Sequence, residues 1–185
     1  MARKKASSAR GVLRFFVQSG RLKIEKRRGW VKKLGMSDPE SVADHSYRTA
    51  LMAMVISDSR GLDTERALRL ALLHDLPEAI AWDAMPEERS GKLKTAVETK
   101  AMEELLKDLP PGVGRLYRGA WSDFVDGKSK EARLVRQLDK LEMAIQAWEY
   151  AHDSGDPATA REFWATARAV VTDEGLLEIL RNVKL

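Results

Sequence analysis

The stretch of this sequence best suited to chemistry is segment 72–78, Leu-Leu-His-Asp-Leu-Pro-Glu, which sets an imidazole beside a carboxylate in an otherwise apolar run. Burying a carboxylate is costly unless it is paired or coordinates a metal. The pair His74 and Asp75 is therefore a candidate for metal binding. A second histidine, His45, lies upstream, and a further aspartate, Asp139, lies downstream. Together they predict a metal site assembled from three separated segments.

The predicted site combines ligand types that suit hydrolysis. Imidazole nitrogens and carboxylate oxygens can bind one divalent ion, and Mn, Co, Ni, Zn, Fe and Mg all remain open. Such an ion lowers the pKa of water toward neutrality and polarises a phosphoryl oxygen, while a nearby carboxylate transfers a proton. Glu78 suits that transfer, because it follows His74 by four residues. It stays close whether the helix continues past Pro77 or a new helix starts there.

Each of these residues also has a purely structural interpretation. A histidine among leucines, such as His74, is often a hydrogen-bonded core residue, and His45 can cap a helix or pair locally. Asp139 can be an exposed charge, although its position next to Leu138 places it at the edge of a buried face. His152 is explained by the dipole at a helix C-terminus. The metal interpretation therefore depends on the set rather than on any one residue.

Composition is that of one soluble globular domain: 185 residues, 44% hydrophobic and 32% charged. The absence of cysteine excludes disulfides, cysteine-ligated zinc and thiol nucleophiles. No apolar run is long enough to cross a membrane, and the first residues lack the apolar core of a signal peptide. We therefore expect no membrane association and a cytoplasmic location.

The net charge of +4 is unevenly distributed along the chain. Residues 1–33 hold 12 lysines and arginines and one acid, whereas the remaining 152 residues carry a net charge of −7. A basic front end attracts phosphates, nucleic acid or an acidic partner, but it is also what a solvated tail and a basic helix face look like. It lacks the interleaved aromatic residues of a nucleic-acid module. We expect a basic tail over residues 1–10 and one domain over 11–185.

Apolar residues recur at helical spacing along nearly the whole chain, which predicts an all-α fold. The early examples are Val12, Phe15 and Phe16, followed by Val42, Met52, Val55 and Ile56. Asp63 is expected to begin a helix, and segment 92–106 is expected to form another. A long helix is predicted over about 129–153, with one apolar face. That face holds Leu134, Leu138, Leu141, Ile145 and Trp148.

Three breaks are expected to be loops within the domain: 35–39, 83–91 and 126–129. A fourth break at 155–157 is expected to start the next helix, with Asp156 as its N-cap and Pro157 in its first turn. The adjacent residues Phe163 and Trp164 are expected to pack in the core, although they and Trp148 are also candidates for an interface.

Several separated motifs, in order, resemble the HD-domain superfamily of metal-dependent phosphohydrolases. The resemblance runs from about residue 12 to residue 150 and is closest to the 5′-deoxynucleotidase branch, which includes the HD domain-containing protein 2 group. The matching segments are 27–31, 40–48, 69–78, 83–86 and 134–140. The resemblance implies a single helical HD-domain bundle, phosphomonoester hydrolysis and a homodimer.

The resemblance also implies roles for individual residues. The metal-binding pattern of the family falls on His45, His74, Asp75 and Asp139. Glu78 matches an acidic residue that donates a proton or orients water, and Asp83 matches an aspartate that contacts substrate or supports the site. The family often supplies an arginine just before the tryptophan matched by Trp30. Here Gly29 occupies that position, so the role falls to Arg27 or Arg28.

The roles of three further residues are open. Trp82 stands where the family commonly has glycine, and its indole could reshape the sugar or base pocket. Trp30 can contact substrate or simply pack between helices. Arg48 lies one turn after His45 on the same helix, so it can face the phosphate or be a surface charge.

The expected reaction is hydrolysis of a (deoxy)nucleoside 5′-monophosphate to a nucleoside and phosphate. Glu78 or Asp75 would assist proton transfer to the leaving oxygen, and a metal and an arginine would stabilise the developing charge. One alternative is an HD phosphohydrolase for nucleoside triphosphates, cyclic nucleotides or alarmones. The other is a non-enzymatic module that binds nucleotides or nucleic acid through its basic N-terminus.

Overall fold

The computed structural model describes residues 9–82, 91–154 and 158–183. These residues form helices and no strand, apart from one isolated bridge between Lys26 and Ser41, so the predicted all-α fold is confirmed. None of the described helices is long and apolar enough to cross a membrane. The helices are α1 (Ala9–Ser19), α2 (Arg28–Leu34), α3 (Val42–Arg60), α4 (Thr64–Leu73), α5 (Glu78–Ala81), α6 (Gly91–Leu106), α7 (Pro111–Asp126), α8 (Lys130–Ser154), α9 (Ala158–Val170) and α10 (Glu174–Asn182).

Side-chain caps define where the site-bearing helices begin. At the start of α3, Ser41 and Asp44 form a capping box in which each side chain accepts from the other's backbone N–H. The predicted start of α4 is confirmed, because the Asp63 carboxylate accepts from the Arg66 N–H at 2.9 Å. These caps fix the register of both helices, and hence the faces that they turn inward.

Helix α8 is the central element of the fold, and its predicted extent is confirmed to within a residue. It contacts α3, α4, α7, α9 and α10. Leu134, Leu138 and Leu141 of its predicted apolar face are buried in the main core, whereas Ile145 and Trp148 are only partly buried. Asp139 is therefore carried on a buried turn of α8.

The buried face of α3 differs from the predicted apolar one. Val42 is buried, but Val55 is 54% exposed, and Phe16 of α1 is 62% exposed. The inward face of α3 is instead made of small and polar residues. They are His45, Ser46, Thr49, Ala50, Ala53 and Ser57. Small side chains let α3 lie close to its neighbours, and this close approach brings His45 to the site.

Left-handed glycines end two helices at predicted breaks. Gly35 follows α2 with a φ of 65°, and Gly127 follows α7 with a φ of 64°. The other two predicted breaks lie mainly outside the described residues, as do the cap and first-turn proline proposed at 156 and 157. Helix α1 already includes residues 9 and 10, and the division into a tail and a domain stays a prediction.

Aromatic residues of α9 pack as expected. Phe163 is buried beside Trp30, and Trp164 packs against the main core. Trp148 is half-buried and stacks on the exposed His152, with 5.7 Å between ring centroids. Phe163 and Trp164 are thus part of the helix packing of α9, as predicted.

Candidate metal centre

Three elements meet at the predicted metal site. Helix α3 contributes His45, the turn between α4 and α5 contributes His74 and Asp75, and α8 contributes Asp139. The His45 Nε2 atom lies 3.3 Å from His74 Nε2, 3.3 Å from an oxygen of Asp139 and 3.7 Å from an oxygen of Asp75. The His74 Nε2 atom lies 3.2 Å from the same Asp75 oxygen. The four side chains predicted to share one ion are thus brought together.

The donor chemistry of this cluster fits a divalent metal. One ligand atom each from His45, His74 and Asp139 lies within 4.8 Å of the other two, and all three residues are buried. Asp75 is not part of that triple, but its carboxylate lies against both imidazoles. Two nitrogen and one or two oxygen donors are typical of a site for Mn, Fe, Co, Ni or Zn.

Both histidines direct the same ring nitrogen toward the cluster. His74 donates its Nδ1 hydrogen to the Ala71 carbonyl at 2.6 Å, and His45 donates its Nδ1 hydrogen to the Glu142 carboxylate. In each ring, when it is neutral, the lone pair that a metal needs is therefore on Nε2. Hydrogen bonds of this kind are what orient metal-binding histidines in proteins.

Glu142 was not singled out from the sequence. It is fully buried, and its second oxygen accepts from Nε of Arg48 at 2.8 Å. Arg48 also binds Glu149 and Gln146, so its guanidinium is engaged with α8. Neither interpretation left open for Arg48, a phosphate contact or a surface charge, describes it. The sequence does contain a pattern that points to Glu142: it follows Asp139 by three residues and therefore shares its helix face.

The carboxylates of the site set its electrostatics. Burial and the Arg27 charge oppose protonation of His45, but Glu142 and Asp139 outweigh them and raise the pKa of His45 to about 9. Burial opposes ionisation of Asp75, yet His74, Arg27 and His45 bring its pKa below the usual range. This is the electrostatics of a site that attracts positive charge.

A cavity of about 480 Å³ opens onto the cluster, within the size range of small-molecule sites. His74, Asp75, Glu78 and Asp139 lie on its metal side. Cationic lining residues are Arg27, Lys33, Lys94, Arg136 and Lys140. Apolar lining residues are Trp30, Trp121, Phe124, Val125, Met143, Phe163 and Val170. The cavity thus offers positive charge to an anion and an apolar wall to a flat ring.

Comparison with known proteins agrees with this geometry. Residues 19–179 match the model of the HD domain family. The chain belongs to the HD-domain family. It is 40% identical to human 5′-deoxynucleotidase HDDC2 over 95% of this chain and 86% of the human protein. It is 35% identical to the mouse protein of the same name over 100% of this chain and 92% of the mouse protein.

A solved structure supports the same fold. A conserved hypothetical protein from Pyrococcus furiosus superposes with a TM-score of 0.77 at 33% identity. The match covers 92% of this chain and 98% of that one. The HD-domain fold inferred from the motifs is therefore confirmed over most of the chain.

Arg27 and Arg28, the two arginines considered before Trp30, occupy different places in this HD domain. The Arg27 guanidinium lines the cavity, 3.4 Å from Asp75 and 4.0 Å from Glu40. Arg28 is half-buried and is not among the residues that line the cavity. The geometry therefore favours Arg27 as the anion contact.

Trp30 is first of all a packing residue. It is 1% exposed, its ring lies 4.2 Å from that of Phe163, and its indole N–H donates to Glu40 at 2.9 Å. One side of it also lines the cavity. Packing is thus observed, and a substrate contact stays a prediction.

The chain is not continuously helical through the His-Asp pair. Helix α4 ends at Leu73, a turn follows, and α5 begins at Glu78 directly after Pro77. Glu78 is buried and lines the cavity. The second of the two predicted arrangements, in which Pro77 starts a new helix, is therefore the one adopted.

The two remaining positions lie beyond α5. Trp82 is 51% exposed and does not belong to the described cavity lining. Its backbone has a φ of 50° and a ψ of 158°, a conformation adopted almost only by glycine. Glycine, which the family resemblance implies at this position, would adopt this backbone conformation without strain. Asp83 lies outside the described residues.

Proposed function

We propose that this protein is a metal-dependent 5′-deoxynucleotidase that hydrolyses (deoxy)nucleoside 5′-monophosphates to nucleosides and phosphate. The observation that carries the proposal is the buried cluster of His45, His74 and Asp139, with Asp75 against both imidazoles, beside a cation-lined cavity. The names of the human and mouse relatives support the substrate class.

Four side chains would hold the ion. They are His45, His74, Asp75 and Asp139. When bound there, a divalent ion would supply positive charge to the phosphate and lower the pKa of a water molecule. The lowered pKa values of Asp75 and Asp139 keep both carboxylates anionic for this purpose.

Arg27 and Lys140 would neutralise the phosphate. Arg27 lines the cavity beside Asp75, and the Lys140 amine lies 3.0 Å from the outer oxygen of Asp139. Both charges are thus within reach of an anion bound next to the metal ligands. Phosphoryl transfer depends mainly on such positioning and charge stabilisation.

Glu78 would transfer the proton to the leaving 5′-oxygen. Asp75 is less suited to this, because its pKa is lowered by His74, Arg27 and His45, and an acid that stays ionised cannot donate. Glu78 lies in the same cavity at the first residue of α5. It can therefore act beside the metal ligands without being one of them.

The apolar wall would take the nucleobase. Phe124, Val125 and Phe163 line the cavity together with the cations and the metal-side residues. A nucleoside monophosphate has both an anionic end and a flat apolar end, so it matches both parts of the lining. The metal, the base preference, the cytoplasmic location and the homodimer stay predictions.

A substrate panel tests the proposal. Orthophosphate release is measured from ribo- and deoxyribonucleoside 5′-monophosphates, from triphosphates and from cyclic nucleotides, after chelation and resupply of each metal. We expect metal-dependent release from the deoxyribonucleoside 5′-monophosphates, lost in Asp75→Ala. Release of pyrophosphate or triphosphate, or opening of the cyclic substrates alone, would contradict the proposed substrate.

A further inference from the structure

We infer that Glu142 is a positioning residue that fixes the tautomer of His45 and thereby makes its Nε2 atom a metal ligand. The inference rests on the proposed metal site and adds a residue that does not touch the ion. Two hydrogen-bond donors, His45 and Arg48, contact the buried Glu142 carboxylate.

Glu142 lies between two donors. One oxygen receives the Nδ1 hydrogen of His45, and the other receives the Nε hydrogen of Arg48 at 2.8 Å. His45 and Glu142 are both 0% exposed, so water cannot replace either contact. An ionised carboxylate can only accept, and therefore the ring nitrogen that faces it must carry the hydrogen.

The hydrogen bond from Nδ1 to Glu142 also determines the state of Nε2, the opposite ring nitrogen of His45. When Nδ1 of His45 keeps its hydrogen, the neutral ring has its lone pair on Nε2. That atom is the one that faces His74 Nε2 and Asp139, each 3.3 Å away. The reverse tautomer would direct an N–H at the place where a metal must sit.

Arg48 holds the carboxylate in this position. Its guanidinium contacts Glu142 through Nε, Glu149 through Nη1 and Gln146 through Nη2. It lies three residues after His45, on the same side of α3. Arg48 thus links three successive turns of α8 to α3, the helix that carries His45.

A second metal site at this carboxylate is disfavoured. Glu40, His45 and Glu142 are close enough to be considered as ligands. However, both oxygens of Glu142 already accept hydrogen bonds, and Arg27 lies 4.0 Å from Glu40. Two arginines beside these carboxylates would repel a second cation, which leaves the positioning role.

Glu142→Gln tests the inference without changing side-chain shape. The single amide oxygen cannot accept from both donors, and Arg48 is the permanently charged one. The amide NH₂ would then face Nδ1 of His45 and favour the reverse tautomer. We expect affinity for Co²⁺, measured by competition with a chelating dye, to fall about 10- to 100-fold.

A double variant separates tautomer control from loss of packing. Adding Arg48→Met to Glu142→Gln removes the competing donor, so the amide oxygen can turn back to the His45 N–H. We expect Co²⁺ affinity to return toward the wild-type value, with Glu149→Gln as a control that leaves it unchanged. A double variant that binds Co²⁺ more weakly than Glu142→Gln would overturn the inference.

NMR of the wild-type protein loaded with Zn²⁺ provides a test that needs no variant. We expect the His45 ring hydrogen on Nδ1 and the metal-induced shift on Nε2. The opposite assignment would refute the tautomer, as would a Glu142→Gln variant with wild-type affinity. Failure of the wild-type protein to bind any metal would instead refute the metal site itself.

Discussion

At the residue scale, we propose different roles for two neighbouring acids of the cavity, Asp75 and Glu78, because their surroundings differ. Asp75 contacts both histidines and Arg27, which keep it anionic and suit it to metal binding. Glu78 is separated from it by the break at Pro77 and begins a new helix. In the proposed mechanism Asp75 would therefore be a metal ligand and Glu78 would carry the proton.

Glu78→Gln tests that division. We expect the variant to keep metal affinity and substrate KM, while kcat falls about 10²- to 10⁴-fold, because the amide cannot donate the proton. Steady-state kinetics and metal titration measure the two properties separately. Glu98→Gln removes a carboxylate from the same cavity and is the matched control. Equal losses in both variants would attribute the effect to cavity charge rather than to proton transfer.

Arg27→Ala tests the anion contact. Because a hydrogen bond to a charged group contributes about 1.5–3 kcal/mol, we expect kcat/KM to fall roughly 10- to 100-fold. Arg28→Ala is the natural control, since the adjacent arginine does not line the cavity. If Arg28→Ala caused the larger loss, the assignment of the phosphate contact would be reversed.

The charge of His45 predicts a pH effect on the metal-free protein. The pKa of His45 is raised to about 9 from its ordinary value of 6.5, so its stabilising contribution is complete below pH 6.5 and is lost as the pH rises through about 9. Thermal unfolding of the metal-free protein should therefore show a falling Tm across this range. His45→Gln should flatten the fall, whereas an undiminished slope in that variant would assign it to other groups.

At the element scale, the site depends on how three helical segments meet. Periodicity was sufficient to predict α4, α6 and α8, because each has apolar residues on its inward face. The inward face of α3 could not be predicted in this way, since it is made of small and polar residues. Partners such as Glu142 and Arg48 become apparent only when α3 lies against α8, which is a tertiary contact that no local pattern encodes.

Trp82 marks strain at the end of α5. Its positive φ with an extended ψ costs about 1–3 kcal/mol for a residue other than glycine. We expect Trp82→Gly to raise the Tm, because its half-exposed indole contributes little burial. Trp82→Ala keeps the strain and removes the indole, so it should not raise the Tm. A Tm that falls equally in both variants would show that the indole matters more than the backbone.

At the scale of the whole molecule, contacts within the fold account for part of the positive charge of residues 1–33. Arg14 pairs with Asp108, Lys26 pairs with Asp38, and Arg27 and Lys33 line the cavity. Some of the excess positive charge of residues 1–33 thus forms surface ion pairs or lines the cavity. Nucleic-acid binding through the basic N-terminus stays an alternative hypothesis.

The molecule also explains which parts of the site were predictable. The convergence of His45, His74, Asp75 and Asp139 was predictable, because candidate metal ligands are of few residue types and the motifs occur in a known order. The cavity wall could not, since Lys94, Phe124 and Phe163 come from three helices with no common motif. Their contribution depends on packing angles rather than on residue type.

We propose that one divalent ion, held by His45, His74, Asp75 and Asp139, is required for phosphate release. The most direct measurement is orthophosphate release from a deoxyribonucleoside 5′-monophosphate while metal-free protein is titrated with Mn²⁺ or Co²⁺. We expect no release in excess chelator and a rate that rises until one ion is bound per chain. Undiminished release in chelator, or in an Asp139→Ala variant that binds no metal, would contradict it.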